Sequence, residues 1–363
     1  MLLVVNAGSS SLKLAVFDDT LTEIAQARAE RIGTGGPADH RAALGVGLAE
    51  MGISPSDLTA AAHRVVHGGA GLTAPCRITP SVEAEIEACA ALAPLHNPAN
   101  LTGIRALAAL APDLPQYASF DTAFHATNPA LATTYALPLA ERNRGLRRFG
   151  FHGLSYAAIV RKVKENIESF PERRLLVFHL GNGASACAIR DGQSVASTMG
   201  YSPLDGLTMG TRAGNLDPAV VLDLAARHGV EGASRLLNRE SGLLGLAGAA
   251  DMRALQQAGT PEAAFARDHF AYWAARHAGS LIVAMGGLDA IVFTGGIGEK
   301  DAAIRAAILD RLAFAGAAHD PARNAEGAAA LHQPGSRVAI WIVPAEEERQ
   351  IAIEAMTVRE GGA

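Results

Sequence analysis

The chain has 363 residues, 49% hydrophobic and 18% charged, with a formal net charge of −5. That balance fits about two globular domains with sizeable cores, excludes a disordered chain, and argues against nucleic acid as a partner, which favours a basic domain. Cys76, Cys89 and Cys187 are odd in number and lie far apart with no C-x-x-C, so neither disulfides nor a zinc site is expected, and a reducing, cytoplasmic setting fits best.

The opening MLLVVNAGSS has no basic n-region and does not read as a signal peptide; no apolar stretch reaches membrane-spanning length. Leu2 to Val5, the turn Asn6 to Ser11, and Leu12 to Phe17 read as a β-hairpin. Gly33 to Pro37 marks a loop, and Ala38 to Met51 a helix. Ala60 to His67 is strand-like; His63 and His67 have a zinc spacing only on a helix, and the Val-Val and Gly-Gly flanks argue against one. Helices follow over Val82 to Leu92 and Pro98 to Leu110, broken at 94–98, then a short strand from Tyr117 delivers Asp121 to its C-terminal end.

Leu154 to Ile167 predicts a helix, and Leu175 to Thr198 a second hairpin plus a third strand, with Asp191-Gly192 as a turn. Ser202 to Asp217 has no regular period, and a loop that long in a compact domain is usually functional. Helices are predicted at 219–227, 233–239, 261–285 and 302–312, strands at 288–293 and 338–343, and a closing helix at 346–356. Few aromatics against abundant Ala and Gly predict helices packed through small residues.

The second hairpin turns at Gly181-Asn182-Gly183, and setting Gly8 against Gly183 aligns it with the first. The chain therefore reads as two related halves, each opening with a small-residue turn whose free N–H groups suit a phosphate. Neither turn is a Walker A loop, because strand rather than helix follows it and no G-x-x-x-x-G-K-[ST] occurs.

Two such hairpins and the Gly-rich strand end 293–299 resemble the sugar kinase, Hsp70 and actin superfamily. Eight blocks narrow the resemblance to acetate kinases: NAGSSSLK (6–13), HRVVHGG (63–69), APLHNP (93–98), FDTAFH (120–125), GFHG (150–153), HLGNGAS (179–185), SPLDGLTMGTRAG (202–214) and FTGGIGE (293–299). They come in that family's order and cover nearly the whole chain. The resemblance implies an α/β, two-domain, actin-like (ribonuclease H-like) ATPase fold, with duplicated mixed sheets flanked by helices and a cleft between the halves. Residues 1–124 plus 349–363 would form the N-terminal domain and 125–348 the C-terminal one. It also implies reversible transfer of the ATP γ-phosphoryl to acetate, Mg²⁺ (with Mn²⁺ as an alternative), and a homodimer. A carboxylate acceptor is already ionised at pH 7, so cations rather than a general base are needed.

By the same resemblance Arg64, Arg212, His152, Asp121 and Asn6 are catalytic, and Asn6, Asp121 and Glu347 organise the metal, Asp121 and Glu347 from opposite sides of the cleft. Arg64, Val66, Leu95, His96, Phe151 and Pro203 bind the acyl substrate. Lys13, Ser11, His179, Asn182 and Gly183 hold nucleotide phosphates, and Asp251, Met252, Arg253, Gly296, Ile297, Gly298 and Ile304 the rest of the nucleotide. The residues themselves leave bland readings open: Lys13 as an exposed strand lysine, and Glu347 as an ordinary helix start. Departures from the pattern are Lys300, Glu346, Leu154 and Tyr156, and the chain is short between Arg31 and His63. A propionate or butyrate kinase, or a non-catalytic nucleotide switch, are the alternatives.

Overall fold

A computed structural model of the chain describes residues 1–166 and 174–361, so the predicted helix end at Ile167 lies outside the described residues. Two units emerge from the contacts: residues 1–126, 152–158 and the segment from Glu346, and residues 127–151 and 159–345.

The first unit is built on six strands: β1 (Leu2–Ala7), β2 (Ser11–Phe17), β3 (Glu23–Glu30), β4 (Ala60–Val65), β5 (Cys76–Arg77) and β6 (Gln116–Phe120), in the order β3-β2-β1-β4-β6-β5. β1 pairs antiparallel with β2 and parallel with β4, and β4 runs parallel to β6. Successive side chains of β1 point to opposite faces. Leu3, Val5 and Ala7 join the core under helix His40–Glu50, while Leu2 and Val4 pack with Ile351, Ala352 and Ala355 of the C-terminal helix Glu347–Glu360. Covering both faces is what makes the run Leu2–Val5 apolar throughout rather than alternating.

β3 was not anticipated. Its Ala25, Ala27 and Ala29 face the core while Glu23 and Arg28 of the other face are solvated. Alanine has little strand preference, so the alternation was present without the usual β-branched signal.

The second unit carries β7 (Arg174–Leu180), β8 (Ala184–Arg190), β9 (Gln193–Ser197), β10 (Ala290–Thr294) and β11 (Ala339–Ile342), ordered β11-β10-β7-β8-β9. Here too an antiparallel three-strand meander continues into parallel strands. The path β9-β8-β7-β10-β11 repeats β3-β2-β1-β4-β6, so the duplication read from the two hairpins extends to whole sheets. Helix Pro261–Met285 matches its predicted span and buries Ala263, Ala266, Ala271, Ala274, Ala275 and Ala278, the small-residue packing that composition implied. The two helices predicted over 219–239 run as Pro218–Arg239, interrupted at Gly229, whose φ of 71° leaves the helical region. The segment 198–217 contains neither helix nor strand. Beyond β10 the chain turns directly into helix Gly295–Lys300.

Candidate active site

In the first unit several of the expected site side chains gather where parallel strands end. Arg64 lies on β4 and Asp121 follows β6, whose register sets Val65 beside Phe120. The guanidinium is bidentate on the carboxylate: Nε donates to Oδ1 at 3.1 Å and Nη2 to Oδ2 at 2.6 Å. Nη1 donates to Asn6 Oδ1 at 3.3 Å, which brings in the end of β1. Asp121 is 1% exposed, and its backbone N–H donates to Val65 O at 3.0 Å. Burial opposes the charge on Arg64, but Asp121 and, more weakly, Glu347 and Glu348 hold its pKa above the ordinary value.

Glu347 opens the C-terminal helix. Burial pushes its carboxyl up to about 7, with Arg64 opposing, Asp121 and Glu348 adding to the rise, and Lys13 opposing. The expectation that Asp121 and Glu347 face each other from opposite halves is therefore corrected. Both belong to the first unit, because the C-terminal helix docks on the β1 face and starts beside the β6 end. Lys13, on β2, pairs with Glu348 at 2.8 Å while its own side chain stays 41% exposed.

His152 stands next to this cluster. Its φ of 58° is unusual for a non-glycine residue. The Gly153 N–H donates to Asp121 O at 2.9 Å, and any Cβ on Gly153 would run into that carbonyl, so the GFHG segment must carry glycine there.

The segment beyond β4 is held by side chains that sequence reading missed. Asn100 Oδ1 accepts from the Val66 N–H and its Nδ2 donates to Ala7 O, linking the first turn to Val66. Asn97 Oδ1 accepts from the His67 N–H and Nδ2 donates to His67 O, and Thr122 Oγ1 accepts from the Gly68 N–H. Asn97 and Asn100 are 0% and 3% exposed; two asparagines three apart at a helix start were the available signal. Val66 is buried, His96 is half-buried at the helix start, and Leu95 is exposed. His63 sits in the strand with its ring on Gln116 Oε1 at 2.7 Å, and His67 Nδ1 accepts from the Gly69 N–H; burial pushes each imidazole down to about 4.

The phosphate turns differ from expectation in one respect. Gly8 N–H donates to Ser11 O and Gly181 N–H to Gly183 O, so these two groups close their own turns instead of facing outward. Ser11 and Gly183 are half-buried, and Asn182 is exposed at its tip.

In the second unit the irregular segment 198–217 packs on the second hairpin. Gly210 N–H donates to Asn182 O at 2.9 Å, and a Cβ on Gly210 would collide with Asn182 Oδ1. Further backbone bonds from Ser241 to Thr211 and from Ala213 to Leu237 fix the loop around Arg212. Arg212 Nη1 donates to Pro203 O at 3.0 Å. Phe151 is fully buried, and Pro203 and His179 are half-buried, His179 paired in register with Thr294 and Ser185.

Beside Asn182 opens a cavity of about 860 Å³. One wall is Asp251, Met252 and Arg253, and the other is Gly296 and Ile297, expected nucleotide residues, with Lys300, the departure expected to border that site, alongside; Gln256, Gln257 and Asp301 line it as well and carried no such expectation. Gly298 and Ile304 are buried behind the wall rather than lining it. Asp251 caps helix Met252–Ala258, accepting from the Arg253 and Ala254 N–H groups, and these bonds, that from Ala254 foremost, draw its carboxyl below the ordinary range.

Among the described residues no group of three or more His, Cys, Asp or Glu could hold a metal, and no helix is long and apolar enough to cross a membrane.

Comparison with known proteins bears on the fold and the family. Residues 37–353 match the model of the acetokinase family. Acetate kinase of Leifsonia xyli subsp. xyli is 43% identical, covering 99% of each chain, and its alignment runs over 394 positions, so it carries residues this shorter chain lacks. Acetate kinase of Porphyromonas gingivalis superposes with a TM-score of 0.90 at 35% identity, covering 99% of both chains. A propionate kinase from Francisella tularensis gives 0.92 at 35% identity, over 97% of this chain and 98% of its own. With two repeated α/β sheets, the ordered sequence blocks and full-length similarity to its members, the chain belongs to the acetokinase family.

Proposed function

We propose that the chain moves the γ-phosphoryl group of ATP directly, in line, onto the carboxylate of acetate, and that Arg64, Asp121, Asn6 and Glu347 are the centre of that chemistry. The phosphotransferase reaction itself, acetate and ATP giving acetyl phosphate and ADP reversibly, follows from family membership. The residue roles rest on one observation: a half-buried arginine fork locked on the buried Asp121, with Asn6 and Glu347 around it.

Arg64 keeps its charge, and Nη1 is turned toward Asn6, where it can also meet an anionic substrate. His152, raised into position by its backbone, and Arg212, on its pinned loop, are assigned the neutralisation of the phosphoryl group in flight. The donor set fits Mg²⁺, or Mn²⁺: Asn6, Asp121 and Glu347 offer oxygen ligands, and the Glu347 carboxyl, raised first by burial and then by Asp121 and Glu348, is one whose charged form a divalent cation would favour. Asp121 and Glu347, with Asn6, would hold the ion, which would supply neutralisation of nucleotide phosphate charge, a role for which two carboxylates suffice. The 860 Å³ cavity is assigned to the adenosine end of ATP, and Lys13, Ser11, His179 and Gly183 to its phosphates.

Val66, Leu95, His96, Phe151 and Pro203 are assigned to the acyl group, with acetate preferred. Similarity to a propionate kinase makes propionate the second acceptor to consider. A homodimer is supported by the exposed apolar run Leu216, Val220, Val221, Leu222 and Val230 on the second unit. Cytoplasmic residence, with acetyl phosphate feeding acetyl-CoA biosynthesis, completes the reading.

Trapping the product as an acyl hydroxamate tests it across acetate, propionate and butyrate. Acetate should give the highest kcat/KM. One methylene is worth about 1–3 kcal/mol, so Val66→Ala should narrow the acetate-to-propionate ratio. No hydroxamate from any acid overturns the chemistry, and equal damage to both acids by Val66→Ala overturns the acyl assignment.

A further inference from the structure

The two walls of the 860 Å³ cavity come from short elements that do not hold themselves in place. Helix Met252–Ala258 has seven residues and buries two of them, Met252 and Leu255. Helix Gly295–Lys300 has six and buries two glycines. A long, firmly packed helix, Pro261–Met285, runs nearby, and its Arg267 reaches both walls. Nη1 donates to Met252 O at 3.1 Å and to Asp301 Oδ2 at 3.0 Å, and Nη2 donates to Asp301 Oδ1 at 3.3 Å. Met252 and Asp301 both line the cavity, one on each wall.

We propose that Arg267 is the positioning residue that sets the spacing of the nucleotide cavity and thereby the affinity for ATP; this rests on the reading of that cavity as the adenosine site. Its side chain is 14% exposed and that of Asp301 10%, so the pair acts with little solvent screening. Asp301 transmits the hold further, because the same Oδ1 accepts the Ile304 N–H and caps the next helix, Ala302–Arg311. From behind, Arg305 Nη1 donates to Gly298 O at 3.0 Å and Glu299 O at 2.9 Å, so the far wall cannot retreat once Arg267 grips it. Only a planar fork reaches one carbonyl and both oxygens of a carboxylate together; a lysine ammonium on the same helix offers a single point charge. Arg267 makes no contact with ATP in this account. It acts on binding, through Met252 and Asp301.

The test compares wild type with Arg267→Met, Arg267→Lys, Asp301→Asn and the double variant Arg267→Met/Asp301→Asn, with Ile297→Trp as a plug of the cavity itself. Arg267→Met should raise KM for ATP about tenfold while KM for acetate and saturating kcat stay within about twofold. Arg267→Lys should recover part of the loss, and the double variant should be no worse than Arg267→Met, since both changes remove one shared interaction. Equilibrium binding of ADP should follow the same order; should Arg267→Met not fold, the Arg267→Lys and Asp301→Asn values decide. If Ile297→Trp weakens ATP and the Arg267 variants do not, the positioning role is wrong. If neither Ile297→Trp nor Arg267→Met changes KM for ATP, the nucleotide does not occupy this cavity and the underlying assignment falls. A parallel loss of kcat and both KM values with a lowered melting temperature overturns the proposal in favour of a general structural role.

Discussion

Replacing Arg64 with alanine should separate what this residue does for catalysis from what it does for the fold. Asp121 is 1% exposed and both its oxygens are bonded to Arg64. Truncating the arginine therefore leaves a buried carboxylate without its cation, with Glu347 close enough to feel it. Breaking a buried pair from one side costs about 3–5 kcal/mol; because the Arg64 side chain is 22% exposed, we place the loss near the lower bound, about 3 kcal/mol. Independently, losing a charge-stabilising contact in the transition state costs roughly 3 kcal/mol, or about a hundredfold in kcat. The variant Arg64→Ala/Asp121→Asn removes the stranded charge. It should regain most of the urea midpoint lost by Arg64→Ala while staying as inactive in hydroxamate trapping. Near-normal kcat in Arg64→Ala would refute the catalytic role. A double variant no more stable than the single one would refute the electrostatic account of the fold.

Two further outcomes follow from the buried titratable groups. Glu347, with its carboxyl pushed up to about 7, must lose its proton to bind a cation, so the magnesium requirement of the wild type should rise as pH falls from 8 through 7 toward 6. Glu347→Ala should raise that requirement at pH 8 or abolish activity, and an unchanged magnesium titration would return Glu347 to a helix start and move attention to Glu346. His63 is pushed down to about 4 by burial, against its bond to Gln116, while the unfolded imidazole sits near 6.5. The unfolded state then binds the extra proton, so the stability associated with a neutral His63 is full above pH 6.5 and is lost as pH falls toward 4, by about 3 kcal/mol. Urea unfolding of His63→Leu/Gln116→Leu should show a shallower acid slope than wild type; identical slopes would rule this out. His67 titrates in both proteins and cancels.

What the sequence reveals divides along a physical line. Elements with a strong local signal were legible: the hairpins around Gly8 and Gly183, the helix Pro261–Met285 with proline at its first position, and the Gly-rich end of β10. β3 was not, since its inward face is alanine and carries no strand preference of its own. The same holds within the site. Arg64 and Asp121 are marked by their motifs, but that they neutralise each other depends on β4 and β6 being neighbours, although 57 residues separate them in the chain. Glu347 is harder still, because its place beside Asp121 is set by the whole C-terminal helix docking on β1, through Ile351, Ala352 and Ala355. Asn97 falls in the break at 94–98 and Asn100 in the helix predicted from Pro98, and their work on the Val66 and His67 backbone emerges only once the helix lies over the end of β4. Most of the residues assigned to the substrate are thus written into short motifs, whereas those that hold them in register are specified by packing between segments far apart in the chain. This is why Arg267, which lies in none of the eight blocks and yet grips both walls of the cavity, could be found from the structure and not from the sequence.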